Sequence, residues 1–235
     1  MIRGGIHVEV LNGISLHGGL PVSWPKSKIT AKTVVQALLE HWRRHGLPDY
    51  AQFDNDPVFQ GTHHHPDAIG RVTRLCLSLN VIPVFTPPRE TGFQAAIENF
   101  NGRWQAKVWA RFTHASRRAL QSRSAKFITA SRRRAAARID AAPPRRPFPV
   151  DWKLDLQATP QGCIIFLRRT DDKGQASLLG HVFPVDTHWP HRLVRAEVDL
   201  SENRIRFYAL RRRNPAYQPL LKEVHYEFPP RRFHE

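Results

Sequence analysis

Apolar positions recur along the chain with periods that change from element to element. Residues 6 to 16 alternate apolar and polar and predict a strand. Gly18-Gly19 predicts a turn, and Leu20 to Trp24 a second short strand stopped by Pro25. From Thr30, a candidate N-cap, Val34, Leu38, Leu39 and Trp42 fall on one helical face, which ends at Gly46-Leu47-Pro48. A short strand reaches Asp54, and a turn-rich stretch fills 57 to 66. A helix over 67–79 carries Ile69, Val72, Leu75, Cys76 and Leu79 inward, and 81–85 reads as a compact strand closed by Pro87-Pro88. Phe93, Ile97, Phe100, Trp104 and Val108 then form the stripe of a further helix. Glu98, Asn101 and Gln105 run beside that stripe, so a carboxylate rides on the rim of a buried face.

The pattern changes twice beyond this helix. Residues 111 to 139 hold nine cations (Arg111, Arg117, Arg118, Arg123, Lys126, Arg132, Arg133, Arg134 and Arg138) and neither Asp nor Glu. Such a run is commonly a solvated face, but the lack of any compensating acid points to phosphate contact. A basic helix or helix pair is expected there. The stretch 141–151, rich in proline and arginine, excludes helix and reads as a semi-rigid linker between 1–140 and 152–235. After it come five short strands (152–158, 163–169, 178–185, 193–199 and 204–210) with turn residues between them, which suit a small all-β barrel.

The chain has 235 residues, 41% hydrophobic, enough to bury a core. A formal net charge of +16 favours a polyanionic partner, nucleic acid first. No apolar run approaches membrane-spanning length and no signal-peptide pattern opens the chain, so a membrane is not the expected surface. Cys76 and Cys163 lie far apart, without a second ligand at metal spacing, and read as free thiols in a reducing compartment. His63-His64-His65 reads as a polar loop, since three adjacent side chains cannot all reach one ion.

Phe53-Asp54-Asn55-Asp56-Pro57-Val58-Phe59 resembles the Asp-Asn-Gly-x-x-Phe segment of the retroviral-integrase superfamily. Glu98-Asn99-Phe100-Asn101-Gly102-Arg103 resembles the Glu-Ser-Phe-Asn-Gly-Arg helix of insertion-sequence transposases in that superfamily. The resemblance covers roughly residues 6 to 140. Asp56 stands where glycine is usual and Asn99 where serine is common, and the first acid of the family's Asp-Asp-Glu triad is not evident.

The resemblance implies an α/β ribonuclease-H-like domain lacking its first strand, a basic helical extension and then the small barrel. It implies that Asp54 and Glu98 are the second and third acids of a Mg²⁺ site, with Mn²⁺ as a possible substitute. These ions carry phosphoryl transfer on DNA in that superfamily and take hard oxygen ligands. Asp54 has a plainer role as a strand-end turn residue, and Asp56 as the next residue of the same bend. Arg103, Lys107, Arg132, Arg133 and Arg134 are the candidate DNA-binding residues. The implied partners are DNA, as element ends and target, and further copies or a full-length transposase. A bacterial cytoplasmic, nucleoid-associated location goes with them. The expected protein is an N-terminally short transposase for metal-dependent cleavage and transfer of DNA strands. Its rival is a non-catalytic DNA-binding remnant or regulator, and charge alone supports a third reading, an RNA-binding module.

Overall fold

A computed structural model of the protein describes residues 5, 7–62, 65–211, 213–230 and 232–233. It is an α/β fold, with a mixed sheet, helices and two additional antiparallel hairpins. The chain divides into two compact units, Met1–Arg44 with Thr91–Arg145 and His45–Glu90 with Arg146–Glu235.

The first unit starts with the hairpin of β1 (Glu9–Ile14) and β2 (Pro21–Lys26), in register from Glu9 opposite Lys26 to Ile14 opposite Pro21. Its turn needs the left-handed backbone of Gly18. A Cβ there would lie 2.8 Å from the carbonyl oxygen of Arg138, so glycine also permits a close approach. Helix α1 (Ala31–His45) is capped as expected, with the Thr33 amide donating to Thr30 Oγ1, and it buries Val34, Val35, Ala37 and Trp42. In the same unit α4 (Ala95–Trp104) passes into a π-helical turn at Gln105–Trp109, and α5 (Arg117–Arg134) and α6 (Ala136–Asp140) follow. Trp104, Val108 and Leu120 form their shared core, with Val10, Trp109 and Phe127 packed around it.

Helix α5 covers strand β2 through side chains that seek its carbonyls. Gln121 Nε2 donates to Pro25 O and Arg132 Nε to Pro21 O. Proline has no amide to offer a third strand, which fits β2 at the edge of its hairpin. The Trp104 indole donates to Ser124 Oγ at 2.9 Å, and that hydroxyl donates to Ser23 Oγ at 3.1 Å. Three elements are thus tied by one buried polar chain.

The second unit is built on a six-stranded sheet in the order β10-β9-β8-β5-β4-β3. Strands β3 (Tyr50–Phe53) and β4 (Ile82–Phe85) pair in parallel, with α2 (Pro57–Gln60) and α3 (Arg71–Ser78) in the crossover. Strand β5 (Cys163–Arg169) lies parallel to β4. Next to it β8 (Leu193–Asp199), β9 (Arg204–Ala209) and β10 (Leu220–His225) run as an antiparallel meander. The core is mainly apolar, with the Phe85 and Phe166 rings stacked at 5.2 Å and Ile164, Val194, Ile205 and Phe207 wholly buried.

Two sequence expectations change. The run 178–185 is not one strand but the end of β6 (Gln175–Leu178) and β7 (His181–Pro184), joined by Leu179 and Gly180 at positive φ. Stretch 152–158 is not a strand. The Asp155 carboxylate accepts from the Gln157 amide, and Arg74 Nη1 takes the carbonyls of Leu156 and Ala158, so local side chains hold that backbone instead of a ladder. In the 141–151 stretch Arg146 is held in place, because Leu47 and Arg146 exchange backbone bonds and the Arg146 guanidinium reaches Pro48 O and Asn80 O.

Candidate functional site

Asp54 follows β3 and is exposed. Its Oδ1 accepts from the Asp56 amide at 3.0 Å, the Asx bend expected of a strand-end aspartate. Asp56 is the N-cap of α2 and accepts from the Val58 amide at 2.8 Å, which satisfies one of the donors that a helix start leaves open. Asn55 donates to Thr86 O at 2.6 Å and locks the bend onto the residue that follows β4. Asp54 therefore stands on a rigid corner of the second unit.

Glu98 stands exposed in the first turn of α4, on the first unit. A carboxylate at a helix N-terminus is favoured by the backbone dipole. Of the apolar stripe predicted for this helix, Phe100, Trp104 and Val108 are almost completely buried, while Ile97 is half-buried and Phe93 precedes α4. On the neighbouring face Asn101 Oδ1 accepts from Asn12 Nδ2, which fixes α4 against β1. Gly102 is exposed and nothing lies within 4 Å of the Cβ it lacks, so the helix surface beside Glu98 and Arg103 is bare backbone.

Asp54 and Glu98 offer the hard oxygens that magnesium takes, and each stands open to solvent on its own unit. Among the described residues no three or more His, Cys, Asp or Glu gather into one cluster. Glu9 accepts from the Ile29 amide and serves as a local cap. Of the histidine run, His63 and His64 lie outside the described residues.

The basic face is more continuous than the acidic one. Arg103, Lys107, Arg111, Arg117, Arg118, Arg123, Lys126, Arg133, Arg134 and Arg138 are all exposed. Arg123 lies 3.8 Å over the Phe112 ring and Arg111 5.8 Å from it, so an aromatic plate holds two guanidinium groups in place. Arg117 and Arg118 occupy the first turn of α5, where the helix dipole is already positive and no acid is present. That placement opposes local helix stability and suits an external anion. Arg132 differs from its neighbours. It is half-buried with Nε committed to Pro21 O, and burial, with Arg44 nearby, lowers its pKa from the ordinary guanidinium value.

Two polar features of the second unit carried no expectation from sequence. Asp67 Oδ1 takes both His181 Nε2 at 2.7 Å and the Tyr226 hydroxyl at 2.6 Å. Arg168 is 8% exposed within β5, although its position at the end of an unbroken apolar run, Ile164 to Leu167, could have suggested burial.

No protein-family model matches the chain, and no curated protein sequence matches it. Among solved structures it is similar to a cryoEM structure of a simian T-cell lymphotropic virus intasome in complex with PP2A regulatory subunit B56 gamma. The identity is 14% and the TM-score 0.46, covering 83% of this chain and 71% of that one. That likeness is distant, and no residue role is taken from it.

Proposed function

We propose that the protein binds DNA through the exposed cations of α4, the π-helical turn and α5, and that it is an integrase-type transposase acting on element ends and target. The observation that carries the DNA reading is the acid-free run from Arg111 to Ile139, which folds with all but one of its nine cations exposed. A surface of that kind releases counterions from DNA and binds it with strong salt dependence. The finer, ribonuclease-H-like reading is supported by the parallel β3–β4 pair with its helical crossover and by a helix bearing the Glu98 motif. The meander after residue 163 supports a DNA-contacting or assembly element, for which the small barrel and a homo-oligomer are the family expectation.

In this reading Asp54 and Glu98 would hold Mg²⁺, which when bound activates a water or 3′-hydroxyl and steadies the leaving oxygen. The protein's own part is positional. Asp54 is presented on a bend tied to Thr86 O, and Glu98 on a helix anchored by Trp104. Arg103 and Lys107, roughly one and a half and two and a half turns along from Glu98, leave the helix on another face and would hold strand phosphates away from the reacting bond. A second reading, a DNA-binding remnant without chemistry, is favoured by the Asx bond that already engages Asp54 Oδ1.

End-labelled DNA incubated with Mn²⁺ separates the two. Nicking or strand transfer by the wild type that disappears in Glu98→Gln and Asp54→Asn supports the transposase. DNA binding without any cleavage supports the remnant. Failure to bind DNA at all overturns both.

A further inference from the structure

A cleft of about 310 Å³ opens in the second unit between the start of the 60s loop and the β6–β7 hairpin. Gln60, Arg168, Ser177, Leu178, Leu179 and His181 line it. Two of these side chains are more than nine-tenths buried and hold polar atoms that have no partner among the described residues.

Arg168 is one of them. Its Nε donates to Ser177 O at 3.0 Å, and its Nη1 to Leu167 O at 2.9 Å and Thr86 O at 3.5 Å. All these acceptors are neutral carbonyls, and among the described residues Nη2 has no acceptor and the guanidinium no carboxylate. The Phe166 ring, 4.9 Å from Cζ, closes one side. Burial lowers the pKa to about 10, so the group is still a cation at neutral pH. A buried charge without a counterion is costly to keep and attracts an anion.

Gln60 is the other. Its amide donates to Asp56 O and its carbonyl accepts from the Gly70 amide, so its backbone is fixed. Its side-chain Oε1 is buried and accepts no hydrogen bond among the described residues. The cleft thus asks for an oxyanion at Arg168 and for a hydrogen-bond donor at Gln60. A carboxylate or a sulfate at neutral pH meets the first demand and not the second. A phosphate monoester meets both at or below its second ionisation near pH 6, where its monoanion keeps one P–OH. The Asp67 carboxylate does not decide against an anion, since His181 and Tyr226 already bind it.

We propose that this cleft binds a phosphomonoester group, with Arg168 Nη2 donating to its anionic oxygens and Gln60 Oε1 accepting its P–OH. Two sources carry that group, free inorganic phosphate and the 5′-terminal phosphate of a nucleic-acid strand. The site belongs to the second unit and does not require that the DNA reading of the first be right.

The test is calorimetric titration of the full chain at about pH 5.5, where phosphate keeps its P–OH, with inorganic phosphate and with sulfate in 0.3 M NaCl, where contacts at exposed cations are largely screened. Phosphate is expected to bind at least about tenfold more tightly than sulfate, the usual weight of one hydrogen bond to a charged partner. Arg168 holds three carbonyls and its loss risks the fold, so the decisive variant is Gln60→Met. It removes the acceptor at similar volume and should erase the preference for phosphate while circular dichroism is unchanged. Equal binding of the two anions, no saturable phosphate binding, or a preference that survives in Gln60→Met would overturn the site. Oligonucleotide competition then assigns the source. Displacement of phosphate by a 5′-phosphorylated strand but not by its 5′-hydroxyl twin identifies the terminal phosphate, and displacement by neither identifies free phosphate. Equal displacement by both would mean that diesters compete, which the P–OH requirement forbids, and would also overturn it.

Discussion

Ser124→Ala isolates the bond that holds the candidate metal-binding helix in place. Trp104 is 3% exposed and Ser124 1%, and the indole N–H has Ser124 Oγ as its acceptor at 2.9 Å. Deleting the hydroxyl leaves a buried donor unpaired, at a cost of about 1–3 kcal/mol. Two smaller effects act as well. Alanine is the better helix former, which returns roughly 0.5 kcal/mol in α5. Ser23 Oγ loses its donor, but Ser23 is only half-buried and can turn to water. The unpaired indole dominates, and a net loss of about 1–2 kcal/mol is expected. The exposed Ser122→Ala on the same helix carries the propensity gain alone and should be neutral or slightly stabilising. Urea unfolding at fixed temperature gives the difference, and hydrogen exchange should locate it in α4 and α5. If Ser124→Ala is as stable as Ser122→Ala, the polar chain contributes nothing and the account of α4 fails.

Replacing Arg133 and Arg134 with Gln, sparing the half-buried Arg132, should lower the slope of log K against log salt for duplex binding by up to about 2. An unchanged slope in fluorescence anisotropy would move the DNA surface elsewhere. Burial pushes the Cys163 thiol up to about 12, with Glu197 and Asp199 adding to it. The folded state therefore keeps the proton that the unfolded chain gives up from about pH 9. Its contribution is complete below that pH and fades as the pH rises towards 12, at roughly 1 kcal/mol per pH unit. Denaturation of Cys163→Ala between pH 9 and 11 should show a shallower decline than the wild type, and parallel curves would refute the shift.

The parts of the fold that are legible in the sequence are those set by period. The stripe from Phe100 to Val108 is buried as its spacing requires, Thr30 caps α1, and the bend after β3 falls on Asp54 and Asp56. Pairing between distant strands is not carried by period. Nothing local in Val84 or Ile165 announces that β4 and β5 lie side by side, because both are simply apolar. The β6–β7 hairpin hides for a related reason. A turn with two positive φ values commonly shows Asn-Gly, and here Leu179 takes the first place at φ 52°, leaving Gly180 as the sole sign. At the candidate sites the motif residues Asp54 and Glu98 are readable, whereas Arg168 and Gln60 become notable only through what fails to meet them in space.

The neighbour of β4 in the sheet arrives late. Phe85 ends β4 and its partner Phe166 belongs to a strand that begins at Cys163, with the whole run 91–145 of the first unit lying between. During synthesis at about 5–20 residues per second, β4 waits roughly 4–16 s with its second edge unpaired. An apolar strand in that condition is a template for other chains. Slower translation across 86–162, or release of a chain stopped at the 141–151 stretch, should therefore favour aggregation over folding. Faster delivery of β5 should have the opposite effect on the yield of soluble protein.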